Sequence, residues 1–474
     1  MLKKKVEIIK YINPFISSLL NEAMYEVRWV DPFSLFTSDR VDILVKYLYA
    51  KSLIDNDNNK FLRDLYLSNI GAFNGFVEGD YSGKVGKTSY LNSFEGLLNE
   101  ISTNGYDDNS IIPLNRDNIP FDGAHRVAIA MALNMKVPVI TVPSASEVHC
   151  TFEYFQKRGQ KPFELDYLVT QYVRIVPNTY MVLVWPAATG RDEEIEAILS
   201  NNGIIAYKKT VLLTKNGLVN LQRVVYKNEP WVGGYYNDFN GVHMKAHHCY
   251  APDSPLRVYL YESKSDNVYT KQLIRDLFGI GHHSVHINDR QEETVEIADL
   301  LFNNNAITYL NGATRKETKK FDELKSVFKS QIYQYNVDQF AIIGGVIPLF
   351  GFRDARDLDY ITTGNFQFTL PSDIEKEEKK INYTKQSVDV IINDPRCHFK
   401  VDGLKYVSLD IIKEIKSKRN NRNDKFDLVY IKSVSGNQLS IIETIRSFSL
   451  HSYYWKKKRN LRLKMRYLYY KWLK

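Results

Sequence analysis

Cysteine is scarce in this chain of 474 residues: Cys150, Cys249 and Cys397 are its only three. They lie far apart and are odd in number, which argues against a disulfide framework and against a Cys-type zinc site. A reducing compartment is therefore expected. No long hydrophobic run occurs; the longest, near 340–352, is too short to span a bilayer. The opening MLKKKVEIIKYINPF has lysines but no long apolar stretch and no small-residue cleavage site, so no secretory leader is expected. Internal repeats and low-complexity linkers are missing too. Residues 451–474 lack acid altogether while holding nine Lys or Arg; subtracting these from the net charge of +8 leaves −1 for the rest. The body is near neutral and the basicity is local, which argues against a nucleic-acid-binding surface over the whole protein.

What is present supports packed cores: 44% hydrophobic and 13% aromatic residues in a length suited to three ordinary domains. The central stretch is Phe340 to Tyr360, FAIIGGVIPLFGFRDARDLDY. It reads as a buried strand, a turn at Gly344 and Gly345, an apolar segment, and a short strand carrying Asp357 and Asp359. Alternation along a strand places both carboxylates on one face and Leu358 in the core. Two convergent carboxylates repel unless a cation sits between them, so magnesium is the natural occupant. Glycines without Cβ let backbone amides approach a phosphate. A third acid, Asp389, is expected at the centre of an apolar strand within Ser387 to Ile392. This set resembles the nucleotidyltransferase superfamily. The resemblance implies Asp357, Asp359 and Asp389 as catalytic metal ligands, Gly344 and Gly345 beside the phosphates, and a nucleoside triphosphate (ATP or CTP) as co-substrate. Further on, Lys416, Arg419, Asp424 and Asp427 in KSKRNNRNDKFDLVY form either a phosphate-facing helix with its cap or a solvated charged face.

Residues 1–60 look helical. The loop-like stretch from Asn69 to Thr88 contains GKVGKTS, but Tyr81 stands where a Walker A loop needs glycine and no apolar strand precedes it. Residues 111–142 read strand, turn, helix, strand, with Asp122, Gly123, Ala124, His125 and Arg126 where the helix begins. A helix start with free amides, a glycine, a histidine and an arginine forms an anion pocket. The motif resembles the ParB/sulfiredoxin-like fold, which implies phosphate binding at Asp122, Gly123, His125 and Arg126. Ala124 replaces the cysteine of sulfiredoxin chemistry, and no helix-turn-helix follows.

Residues 178–303 alternate strand and helix, the pattern of an α/β sandwich. Ile274-Arg275-Asp276-Leu277-Phe278, then His286-Ile287-Asn288-Asp289 and Glu292, resemble the active stretch of nucleoside diphosphate kinase, with Trp185 in place of a phosphate-binding lysine. The resemblance implies a ferredoxin-like fold and His286 as the phosphate-handling residue, with Lys271 and Arg275 as the cations. Six of the ten histidines fall between 243 and 286. His243 and His247 would suit a metal only on a helix, whereas their segment reads as strand and loop.

In 451–474, Leu461, Met465, Leu468 and Trp472 fall on one helical face amid basic residues and aromatics. An anionic membrane surface, nucleic acid and an acidic patch of the chain itself are the candidate partners. The expected architecture is thus α+β and multidomain. A ParB/sulfiredoxin-like domain spans 1–150, a ferredoxin-like (nucleoside-diphosphate-kinase-like) sandwich 151–305 and a nucleotidyltransferase-fold domain 306–440, followed by a basic tail at 441–474. The expected function is Mg-dependent nucleotidyl or phosphoryl transfer to a small, sugar-type acceptor in surface-polysaccharide assembly, in the cytoplasm or at the inner face of the membrane. A non-catalytic nucleotide-sensing or DNA-associated protein is the alternative.

Overall fold

The computed structural model describes residues 2–434 apart from 11, 13, 56, 58, 79–82, 146, 147, 367 and 368. The basic tail at 451–474 therefore lies outside the described residues. The protein is mixed α+β, about half helical, with several small mixed sheets and, among the described residues, no barrel. Nor is any helix among them long and apolar enough to cross a membrane. The chain divides into two compact units: residues up to Leu212 with Ala251–Ala298, and Leu213–Tyr250 with residues from Asp299 on.

The first unit holds three sheets. Strands β1 (Leu2–Lys4) and β2 (Met24–Glu26) form an antiparallel pair. Strands β3 (Arg28–Val30), β4 (Ile112–Leu114) and β5 (Val137–Thr141) form the second sheet, with β5 central, antiparallel to β3 and parallel to β4. Helix Ala124–Leu133 follows β4, as expected, and packs on helix Val41–Ile54; Ile43 and Leu44 of the one and Val127 and Ala128 of the other are fully buried. Residues 1–60 are not uniformly helical: β1, β2 and β3 fall among their helices, because short runs such as Met24–Glu26 and Arg28–Val30 find partner strands that local propensity does not show. Helix Lys60–Asn74 also runs past Asn69, into the stretch expected to be loop, and ends at Gly75 in the left-handed conformation.

The third sheet contains β6 (Thr179–Val184), β7 (Gly203–Val211), β8 (Leu256–Ser263) and β9 (Val285–Ile287) in the order β7-β8-β6-β9, every neighbour antiparallel. Helix Asp192–Asn202 links β6 to β7, and helix Asn267–Phe278 links β8 to β9. Two strand-helix-strand units thus interleave. Val182 and Val184 from β6 pack with Ile195, Leu199 and Ile274 from these helices in one core.

The second unit is built on a five-stranded sheet of β10 (Phe340–Ile342), β11 (Leu358–Thr362), β12 (Ile374–Lys376), β13 (His398–Val401) and β14 (Leu404–Val407), in the order β12-β11-β10-β14-β13. Central β10 runs antiparallel to β11 and parallel to β14. The β13–β14 hairpin turns at Asp402 and Gly403 with φ of 55° and 74°, the left-handed pair that a two-residue turn needs. Helix Lys319–Ile332 seats Phe328 against Phe340 and Tyr360. Helix Lys215–Val225 lies against helix Asn304–Gly312, where Asn220 Nδ2 donates to the carbonyls of Leu310 at 2.7 Å and Ala313 at 2.9 Å.

Two further readings change. Residues 387–392 are not a strand: helix Val388–Asn393 begins there, with the Ser387 hydroxyl accepting from Val390 N at 3.3 Å. Serine immediately ahead of an apolar run is a helix-start signal, and it overrides the strand propensity of Val388, Val390 and Ile391. Residues Asn240–Cys249 are also helical, because Val242, Ala246 and Cys249 fall at i, i+4 and i+7 and are all buried.

Candidate functional site

The Gly-Gly turn ends β10, and its amides turn back to β11: Ile343 N and Gly344 N both donate to the carbonyl of Asp359, at 2.9 and 3.1 Å. The Asp359 side chain lies over the same turn. A Cβ at residue 344 would stand 2.3 Å from Asp359 Oδ2, and one at 345 would stand 2.5 Å from the Phe321 ring. Both glycines are thus required by close approach, one of them to a carboxylate. Asp359 is buried, 7% exposed, and ion-paired with Lys380 of the short helical turn Lys379–Tyr383. Leu358 is fully buried, as expected, and Asp357 is exposed just before β11 begins.

Asp389 does not join them as expected. It sits in the first turn of its helix and is exposed, where a carboxylate favours the helix dipole and needs no metal. Among the described residues no three His, Cys, Asp or Glu side chains form a group able to hold a metal ion. This holds also for His243 and His247, although their segment is helical after all; His243 instead lies 3.8 Å from Asp238, and burial with Arg315 nearby lowers its pKa.

The loop leading to Asp357 is anchored from both sides. Asp354 accepts from Phe321 N at 3.1 Å, and Gly351, at φ 74°, leaves no room for a Cβ beside Thr314. The Phe352 ring stacks on Tyr430 with centroids 4.3 Å apart, and Arg353 pairs with Asp427, both partners belonging to helix Arg422–Val434. Lys416 and Arg419, on the preceding helix Leu409–Arg419, pair with Asp424. In the KSKRNNRNDKFDLVY segment Asp424 and Asp427 are thus buried and ion-paired, with Asp424 also accepting from Asn421 N at 3.1 Å, while Lys418, Asn420, Asn421, Asn423 and Lys425 are exposed. Sequence reasoning missed Lys380 and Arg353; isolated cations in charged or loop segments carry no local signal of a partner distant in sequence.

In the first unit, Gly123 stands at φ 82° before helix Ala124–Leu133, with no room for a Cβ beside Ile112. Arg126 turns to its own motif, with Nη2 3.3 Å from Asp122 Oδ2 and Nη1 donating to Ser110 Oγ at 3.1 Å. His125 Nε2 shares a hydrogen bond of 3.1 Å with the Tyr66 hydroxyl, and its ring lies edge-on to Phe94. Burial, helped by the charges of Lys46 and Lys84, holds His125 neutral, well below the usual histidine range. Beneath it Asp42 is buried between Arg40 and Lys46, both at 2.9 Å. Burial opposes charge on these groups, yet mutual attraction prevails: the Asp42 pKa falls below and the Arg40 pKa rises above its ordinary range. The sequence offered no sign of this cluster beyond the helical spacing of 41–54.

His286 lies on edge strand β9 opposite Leu183, its ring centroid 6.5 Å from that of the fully buried Trp185. Lys271 is held by Asp289 at 2.7 Å, so it is committed to an acid of the same motif, and Arg275 is half-buried in the last turn of its helix. The three cysteines are buried thiols, and burial pushes Cys150 up to about 12 and Cys397 up to about 11, so neither forms a thiolate at neutral pH. Comparison with family models, with curated proteins and with solved structures finds no match for this chain.

Proposed function

We propose that the protein is a nucleotidyl- or phosphotransferase whose working centre is the second unit, around Asp357, Asp359, Gly344 and Gly345. One observation carries this: the Asp359 carboxylate lies against the Cβ-less edge of Gly344, at the end of the central strand. Such an arrangement holds a carboxylate against a glycine turn at a strand end, which suits a cation-bearing phosphate. The sheet order around β10, with helices before and after it, supports a nucleotidyltransferase-like frame. The interleaved order β7-β8-β6-β9 likewise supports the ferredoxin-like reading of the middle sheet, and Gly123 with its helix supports the ParB/sulfiredoxin-like one.

The three-carboxylate set does not fit, but magnesium commonly takes one or two carboxylates plus the oxygens of the substrate phosphates, and Asp357 with Asp359 can supply the protein's share. Bound there, the ion would neutralise charge on the triphosphate. The chain's own residues do the rest. Gly344 makes room for the Asp359 carboxylate, Asp357 is the solvent-facing carboxylate, and Lys380 balances Asp359 until a ligand arrives. The acceptor is a small hydroxylated molecule of the sugar type, which fits surface-polysaccharide assembly at or near the inner face of a membrane.

Lys380 favours a second reading, because an ammonium group already occupies the position where a cation would neutralise Asp359. That is the state of a nucleotide-sensing module without turnover. Pyrophosphate or diphosphate release from each nucleoside triphosphate, with magnesium and a panel of sugar phosphates, separates the two. The transferase gives release that Asp359→Asn lowers at least about a hundredfold, as for loss of a group acting in the transition state. Nucleotide binding without release, unchanged in Asp359→Asn, would establish the sensing module instead.

A further inference from the structure

Three buried nitrogens of the second unit have no hydrogen-bond partner among the described residues. They are Arg223 Nε on helix Lys215–Val225, His243 Nε2 on helix Asn240–Cys249, and Arg315 Nε just past helix Asn304–Gly312. They belong to one cluster, since His243 feels the charges of both arginines and Arg315 feels that of Arg223. One carboxylate approaches it. Asp238 Oδ2 lies 3.8 Å from His243 Nε2, and Oδ1 lies 3.9 Å from Arg315 Nε, both too far for a hydrogen bond. The Asp238 side chain is 75% exposed, that of Arg315 only 18%. The arginines are otherwise held in place: Arg315 Nη1 donates to Asn216 Oδ1 at 2.5 Å, and the Arg223 guanidinium stands 3.9 Å from the centre of the Phe239 ring. The turn that presents Asp238 is strained. Asp238 and Phe239 follow one another at φ 51° and 53°, a conformation that a bulky residue adopts only where its surroundings impose it, and such strain gathers at ligand sites.

We infer that Arg223, His243 and Arg315 form a binding site for the phosphate group of a small phosphate monoester, with Asp238 as an internal competitor that the ligand displaces. An N–H buried without an acceptor is costly, the more so on a cation, so an anion placed among these groups stabilises all of them. His243 joins the two arginines as a donor in its Nε2–H tautomer. A phosphate monoester brings three terminal oxygens to three donor groups, and its two charges match two guanidinium groups once Asp238 has turned to water. A carboxylate ligand would bring two oxygens and one charge, which Asp238 already offers. Burial and neighbouring positive charge lower the pKa of both His243 and Arg315, an environment that an anion relieves. None of these residues belongs to the proposed centre around Asp357 and Asp359.

Magnesium-free calorimetric titration of the full chain with glycerol phosphate and with acetate tests this. Glycerol phosphate is expected to bind, and Arg315→Gln to weaken it at least about tenfold, as loss of a charge-assisted contact does. Asp238→Asn, a change at an exposed side chain in a conformation that asparagine tolerates, is expected to tighten binding, which a merely structural role for Asp238 would not produce. If Arg315→Gln loses its native circular dichroism, the tightening in Asp238→Asn decides alone. No binding by either the wild type or Asp238→Asn overturns the site, and so does binding that both variants leave unchanged. Acetate bound as tightly as glycerol phosphate overturns the phosphate assignment. Asp359→Asn separates this site from the proposed centre: binding that persists in it upholds the site whatever the release assay gives, and binding that disappears in it overturns the site.

Discussion

A methyl group at residue 344 has nowhere to go. Its carbon would lie 2.3 Å from the Asp359 carboxylate, which is itself pinned by Lys380 and by the backbone of the turn. Gly344→Ala is therefore expected to displace Asp359, to destabilise the second unit by about 1–3 kcal/mol as overpacking does, and to remove turnover. Urea unfolding and the release assay on one preparation check both effects. Two histidines set a second expectation. His398 is buried, its Nδ1 donates to the Ile391 carbonyl at 2.9 Å, and burial with Lys405 nearby holds it neutral like His125. A base whose folded pKa is depressed adds stability above its unfolded value of 6.5, and that stability is lost as pH falls below it, because the unfolded chain takes up the proton first. Each histidine then contributes a slope of up to about 1.4 kcal/mol per pH unit, so unfolding free energy should drop between pH 7 and 5 and drop less in His398→Gln. A flat profile in the wild type would contradict the neutral assignment.

At the scale of elements, the helix that replaced an expected strand changes what Asp389 can do. Exposed in the first turn of Val388–Asn393, it is outside the group around Asp359. Asp389→Asn is expected to leave pyrophosphate release within about twofold and stability within ~0.5 kcal/mol, as for a surface change. Ser387→Ala, which removes the cap, should cost about 1 kcal/mol. A large loss of turnover in Asp389→Asn would restore the three-carboxylate set. The strands at 340–342 and 358–362 and the helix after Gly123 were legible because buried runs, glycine pairs and capping glycines act locally. Val388–Asn393 was not, since six apolar-rich residues satisfy either period and only the Ser387 cap decides. The helix Asn240–Cys249 was missed for a similar reason, its apolar face being three residues wide among polar neighbours.

For the molecule as a whole, Leu213–Tyr250 leaves the first unit and returns to it. Strand β7 ends at Val211 and β8 begins at Leu256, and these residues are register partners. Antiparallel partners lie about 4.5–5.5 Å apart, a gap that a short turn can close. A polypeptide of residues 1–298 with 213–250 replaced by a glycine-serine turn should fold alone, giving mixed α/β circular dichroism and one cooperative thermal transition. A gradual, featureless melt would show that the grouping is not a folding unit.

Local chemistry alone pointed to the α+β character and the turn at Gly344 and Gly345, because periodicity and missing Cβ atoms act over a few residues; it did not show that Asp357 stands exposed before β11 while Asp359 is buried. Tertiary structure decided which charges meet: Lys380 with Asp359, Arg353 with Asp427, Arg40 and Lys46 about Asp42. Buried carboxylates must find cations, and the cation that answers is chosen by which elements pack together.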